Sequence, residues 1–199
     1  MNIFKKRPTL SQFGFPTSKE EQVIWLIDWE NLWYSLMTQF GVEGIDLSRR
    51  IQAVKTWLKK IGDLLGGHGY VFAPEHLSAV HQQICVDNGL WIITCPKKQL
   101  LIPQENPKTG RLEERVDTVD QTIMDFAKAW LGHPNFKTIC LVSGDKDYIP
   151  LFEELAQHGI RRALALPTLG SLSRDKKLLD SVDTNLATGR KMLLMLDRV

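Results

Sequence analysis

The segment Ile139-Cys-Leu-Val-Ser-Gly-Asp-Lys-Asp-Tyr-Ile-Pro-Leu-Phe152 changes character sharply along its length. Ile139 to Val142 is apolar throughout rather than alternating, which marks a strand buried on both faces. Ser143-Gly144 breaks the run, and Asp145 and Asp147 follow at once. A helix is expected over Pro150–Gln157, closed by Gly159. In an open α/β sheet, ligands bind just outside the carboxyl ends of the strands, where these two carboxylates would stand. Acids separated only by Lys146 repel each other, and a divalent cation is the natural neutraliser.

Working outward, Val23-Ile-Trp-Leu-Ile27 is a second continuous apolar run, and it ends in Asp28. A helix is expected from Asn31 to Phe40, stopped by Gly41. A longer amphipathic helix is expected from Asp46 to Leu65, with Leu47, Ile51, Val54, Leu58, Ile61 and Leu65 along one face. Tyr70–Ala73 and Leu90–Thr94 read as strands flanking a helix over His76–Asn88. A further helix, Val116–Leu131, leads into the segment quoted above. Arg162–Leu166 is another strand, and the tail combines a short helix (Arg174–Leu179) with a last strand near Met192–Leu196. Strands and helices alternating at these intervals predict right-handed crossovers and a mostly parallel sheet. Residues 95–115 interrupt the rhythm. Pro96, Pro103, Pro107 and Gly110 make a long loop or β-hairpin there, carrying Lys97, Lys98, Lys108, Arg111 and Arg115. Residues 1–21, punctuated by Pro8, Gly14 and Pro16, read as a flexible leader. Residues 22–199 read as a single α/β domain.

Composition narrows the classes. The chain has 199 residues, 43% hydrophobic and 24% charged, enough for one sizeable core. A net charge of +2 excludes a strongly polybasic protein while permitting a local basic patch. Cys85, Cys95 and Cys140 form no Cys-x-x-Cys pair and no zinc-type cluster, so buried free thiols in a reducing compartment are expected. The five histidines show neither metal nor triad spacing. The N-terminus lacks the apolar core of a signal peptide, and no run is long enough to span a bilayer. A soluble, cytoplasmic protein is the expectation.

The acids fall in three places. Asp28 ends the first strand, Asp145 and Asp147 follow the late one, and Asp117, Asp120 and Asp125 lie on the helix between. Asp117 and Asp120 share a face, three residues apart. Asp125 is turned about 140° from Asp120 and about 80° from Asp117. If the two apolar strands are neighbours, three segments aim carboxylates at one end of the sheet. Hard oxygen ligands so grouped hold one or two Mg²⁺ or Mn²⁺ ions, which suit phosphodiester hydrolysis by water.

These residues resemble a known family. Ile27-Asp28-Trp29-Glu30-Asn31 is similar to the "I-D-x-x-N" opening of the NYN domain, a branch of the PIN-like nucleases. Leu141 to Leu151 resembles its "S-G-D-x-D-F-x-P-L" block. Val116-Asp117-Thr-Val-Asp120 fits the intervening "V-D" helix, and Ser173 to Asp183 its closing segment. The resemblance spans roughly residues 22–187. It implies a three-layer α/β/α, Rossmann-like PIN fold and a metal-dependent ribonuclease. Asp28, Asp120 with Asp117 close behind, Asp145 and Asp147 would surround the Mg²⁺ or Mn²⁺, and Asn31 would orient water, metal or phosphate. The chain departs from the family in the middle helix, where a second Asp usually comes six residues after the first. Here Ile123 follows Asp117 at that distance, and Phe126 follows Asp120.

RNA is the implied partner. Lys97, Lys98, Lys108, Arg111, Arg115 and Lys146 are candidate phosphate contacts, and Arg161, Arg162, Arg174, Lys176, Lys177, Arg190 and Lys191 supply a second basic set. Trp29, Trp33 and Tyr34 lie close enough in sequence to stack bases, although core packing competes for at least one. Structural readings compete for the site residues as well: Asp147, Asp117 and Asn31 as helix caps, Asp125 as a solvated residue. The alternatives are a non-catalytic RNA- or protein-binding module and a haloacid-dehalogenase-type phosphatase. The phosphatase needs Asp-x-Asp after the first strand, whereas this chain has Asp28-Trp29-Glu30. Self-association into a homodimer is left open.

Overall fold

The computed structural model describes residues 22–74, 77–95, 118–172 and 177–199. The expected leader, Asp117 and the cations at 97, 98, 108, 111 and 115 lie outside these residues. β1 (Gln22–Asp28) is buried along its whole length, as an unbroken apolar run requires. It is followed by α1 (Trp29–Phe40), α2 (Leu47–Leu58), β2 (Asp63–Leu64), β3 (Gly69–Pro74), α3 (Ala79–Asp87) and β4 (Leu90–Cys95). The chain continues through α4 (Thr118–Ala129), β5 (Phe136–Val142), α5 (Ile149–Gln157) and β6 (Arg161–Leu166). It closes with α6 (Lys177–Asp180), a hairpin of β7 (Thr184–Asn185) and β8 (Arg190–Lys191), and β9 (Leu193–Met195).

The main sheet runs β4-β3-β1-β5-β6-β9, with β2 beside the start of β1, and every pairing in it is parallel. Side-chain contacts sort the helices into two layers. Trp29 of α1 meets His81 of α3, and Gln52 of α2 donates to Asn88 just beyond α3. On the other face, Phe126 of α4 packs on Tyr70 and Phe72 of β3, and Lys128 pairs with Glu154 of α5. This α/β/α arrangement is what right-handed crossovers produce when the chain moves outward from β1 in one direction and then, after β4, in the other. The switch lies between β1 and β5, where Ile27 sits opposite Val142.

Local chemistry shifts several element ends. α1 starts at Trp29, two residues earlier than expected, because the Asp28 carboxylate caps it by accepting the Asn31 N–H at 3.1 Å. α2 stops at Leu58 instead of continuing to Leu65, because Asp63 and Leu64 pair with Gln22 and Val23. The hairpin of β7 and β8 was not expected, and β9 joins the sheet edge near the predicted position. All three cysteines are free and buried, and burial pushes the Cys85 thiol up to about 12, far from a reactive thiolate. Among the described residues no helix is long and apolar enough to cross a membrane.

Packing under the sheet leaves no slack at Gly69. A Cβ there would stand 2.2 Å from the ring of fully buried Trp25, whose indole N–H donates to the His68 carbonyl at 2.8 Å. Gly69→Ala should lower the stability seen in urea unfolding by about 1–3 kcal/mol, the usual cost of an overpacked core. An unchanged midpoint would show that Trp25 can move aside.

Candidate metal centre

Parallel pairing of β1 with β5 brings Asp28 and the turn after Val142 to one end of the sheet. Ser143 Oγ, fully buried, donates to Asp28 Oδ2 at 3.2 Å and accepts the Asp145 N–H at 3.1 Å. Asn31, in the first turn of α1, accepts the Gly144 N–H at 2.9 Å. Asn31 is therefore no helix cap: its amide oxygen fastens α1 to the β5 turn. Asp145 accepts the Asp147 N–H at 3.0 Å and caps the 3-10 turn Lys146–Tyr148, while Tyr148 stands at the N-cap of α5 with no side-chain cap, so Asp147 caps neither.

The turn leaves no room at Gly144. An added Cβ would lie 2.3 Å from Ser171 Oγ and 2.7 Å from the Ser171 carbonyl carbon. Close approach, not a left-handed backbone, explains this glycine. It seats the Thr168–Ser171 turn directly against the acidic loop.

On this scaffold Asp120, Asp145 and Asp147 each offer a carboxylate oxygen within 4.8 Å of the others. Asp120 comes from the first turn of α4, on the opposite face from α1. Asp120 and Asp145 are half-buried and Asp147 is exposed. Among the described residues no histidine or cysteine shares the cluster, so its donor set is all hard oxygen and suits Mg²⁺ or Mn²⁺ rather than a softer ion. Three carboxylates this close repel unless a cation joins them.

Asp28 stands outside this trio, although it lines the same cavity of about 370 Å³ with Glu30, Asn31, Asp120 and Asp145. Only 5% of it is exposed, and Tyr148 links it to the trio. The fully buried Tyr148 hydroxyl lies 2.5 Å from Asp120 Oδ1 and 3.2 Å from Asp28 Oδ2. Burial, then the charges of Asp28 and Asp120, hold the proton on Tyr148. A single proton can serve only one acceptor, and the shorter contact assigns it to Asp120. Burial correspondingly raises the Asp28 carboxyl to about 7, helped by the charge of Asp120 and opposed chiefly by the hydrogen bond from the Asn31 N–H and more weakly by that from Ser143.

Sequence reasoning missed Tyr148, Ser143 and Glu30 in this arrangement. A hydroxyl at the family's Phe position was the one available signal for Tyr148. Asp125 is exposed and accepts from Gln121, as a solvated helix residue does. Trp29 is buried and Trp33 packs edge-on against His81, whereas Tyr34 is 54% exposed. Lys146 is exposed within the acidic turn. In the second basic set, Arg162 is committed to a two-pronged pair with Asp183, at 2.5 and 2.9 Å. Lys191 donates to the Leu179 carbonyl at 2.8 Å, Arg161 bonds Thr138, and positions 174 and 176 lie outside the described residues.

The buried acid carries a pH signature. Its folded pKa of about 7 exceeds the unfolded value near 3.9, so the native state holds an extra proton between those values. Stability from this group is full below about pH 4 and falls as pH rises through 7. Asp28→Asn keeps the carbonyl cap and removes the charge. In EDTA at about pH 8 the variant should therefore melt above wild type, and below about pH 4 the two should converge. A wild type that melts higher at pH 8 would contradict an uncompensated buried carboxylate.

Comparison with known proteins bears on the fold and the family. A crystal structure of a protein of unknown function from Vibrio parahaemolyticus RIMD 2210633 has a similar fold, with a TM-score of 0.59 at 16% identity over 90% of this chain and 95% of that one. MurG from Acinetobacter baumannii overlaps more loosely, with a TM-score of 0.42 at 8% identity over 88% of this chain and 45% of that one. No curated protein matches the sequence. The NYN domain model matches residues 22–185, from the first residue of β1 to the end of β7. The chain belongs to the NYN domain family.

Proposed function

We propose that this NYN domain is a metal-dependent ribonuclease that hydrolyses RNA phosphodiester bonds at the acidic cluster. The observation that carries the reading is the meeting of Asp120, Asp145 and Asp147, whose carboxylate oxygens lie within 4.8 Å of one another. An Mg²⁺ or Mn²⁺ ion held there would lower the pKa of a bound water and offset charge on the phosphate. The chain's own groups prepare that site. Asp120, Asp145 and Asp147 supply its negative charge, and the Tyr148 hydroxyl fixes the Asp120 carboxylate. Asn31, bonded to the Gly144 N–H, and Ser143, bonded to the Asp145 N–H, hold the turn that carries two of the three acids.

Asp28 acts in this reading as a buried anchor beneath the trio, its charge state coupled to Asp120. Such a role also weighs against phosphatase chemistry, which needs the first-strand Asp as an accessible nucleophile, whereas Asp28 is enclosed by Ser143, Tyr148 and the start of α1. Lys146 on the acidic turn, with the cations of the 95–115 region, would hold the RNA backbone.

Labelled RNA incubated with Mg²⁺, Mn²⁺ or EDTA tests the proposal. Cleavage should require the divalent ion, and Asp120→Asn or Asp145→Asn should reduce it by about 100-fold or more, the several kcal/mol that a bound ion supplies. Undiminished cleavage in both folded variants, or full activity in EDTA, would place the chemistry elsewhere.

A further inference from the structure

The cavity at the acidic cluster does not end there. Tyr34 and Ser35 line it and also line a second cavity of about 290 Å³, bounded by Thr38 and Gln39 of α1 and by the Thr168–Ser171 turn. The two adjoin at Tyr34 and Ser35 and have unlike walls. The first part is acidic, whereas no described residue lining the second part carries a charge. The second part is faced instead by a phenol ring, hydroxyls and an amide.

Helical spacing makes this pair directional. Asn31, Ser35 and Gln39 stand at i, i+4 and i+8, one row along α1 that spans about 12 Å. The row starts at the residue that grips Gly144 and leads away from the acids. Ser35 and Gln39 make no side-chain hydrogen bond among the described residues, so their polar groups can serve a ligand. Thr168 and Ser171 bond each other in a capping box, which makes the opposite wall rigid, and that wall is locked to the acidic loop through Gly144. Tyr34 lies where the two parts meet, 54% exposed, although the neighbouring Trp33 is partly buried and Trp29 almost wholly so.

We propose that this neutral arm is a subsite for one unpaired nucleotide of RNA adjoining the scissile phosphate. The base lies against the Tyr34 ring, and Ser35 and Gln39 bond its edge or the ribose 2′-hydroxyl. The inference rests on the ribonuclease reading above and narrows its substrate class. A base can reach Tyr34 only when it is splayed from a helix, so single-stranded or looped RNA is the substrate and continuous duplex is not. A phosphate would find no cation among the residues described here, whereas a base finds a π face and hydrogen-bonding groups.

The test compares wild type with Tyr34→Ala, Tyr34→Phe and Tyr34→Trp on a labelled single-stranded RNA and its duplex. Binding is read by anisotropy in EDTA, and cleavage as KM and kcat in Mn²⁺. Loss of the ring should weaken single-strand binding and raise KM by about 10-fold or more, the usual worth of one stacked base. Tyr34→Phe and Tyr34→Trp should stay near wild type, and calorimetric Mn²⁺ affinity should be the same in all four proteins. Wild-type cleavage with an unchanged KM in Tyr34→Ala overturns the subsite alone. Single-strand binding that depends on the Tyr34 ring, without cleavage by wild type, supports the subsite and overturns the nuclease. A protein that neither binds nor cleaves the single strand, or that prefers duplex, overturns the subsite in either case.

Discussion

Parallel pairing of β1 with β5 sets Ile27 opposite Val142, so that both strands release their chains at the same edge of the sheet. The rest of the site follows from this pairing. Asp28 caps α1 at that edge, and Ser143 and Asn31 reach across the seam between the strands to hold the turn carrying Asp145 and Asp147. The seam is also where the order of the sheet reverses, so no helix covers it and a crevice opens between α1 and α4. An all-parallel sheet buries both faces, which leaves its carboxyl edge as the natural place for polar groups.

Electrostatics then separates the four acids into two kinds. Asp120, Asp145 and Asp147 remain partly in water and close together, an arrangement that a cation relieves. Asp28 is almost wholly enclosed, and its carboxyl rises to about 7. Tyr148 couples the two kinds, since its single proton favours Asp120 and leaves Asp28 to carry its own proton or its own charge. In the proposed enzyme, neutralisation of the trio would ease the burden on Asp28, so that ion binding and the protonation of a buried carboxyl are linked.

Much of the fold was legible in the residues because the two central strands are continuous apolar runs, a pattern that only a doubly covered sheet satisfies. The acids at their ends were legible for the same reason, since a carboxylate closing such a run marks the sheet edge. Other features depend on tertiary contacts that no local pattern encodes. α2 gives up its last two turns because β1 has an open partner position for Asp63 and Leu64. Asp28 and Asp145 look alike in sequence, yet one is enclosed by Tyr148 and Ser143 while the other is half-exposed. Trp29, Trp33 and Tyr34 were equivalent candidates for stacking until helix phase turned the first two toward α3 and the third toward the cavities. Gly144 reads as a turn residue, and only the approach of Ser171 shows that it is a contact residue.

The central claim is that three carboxylates from two distant segments share one cation. Crystals of the protein soaked in Mn²⁺, with diffraction recorded near the manganese absorption edge, test it most directly. The account predicts an anomalous peak bounded by the carboxylates of Asp120, Asp145 and Asp147 that disappears in Asp145→Asn. A peak located elsewhere, or none at Mn²⁺ concentrations that support cleavage, would contradict it.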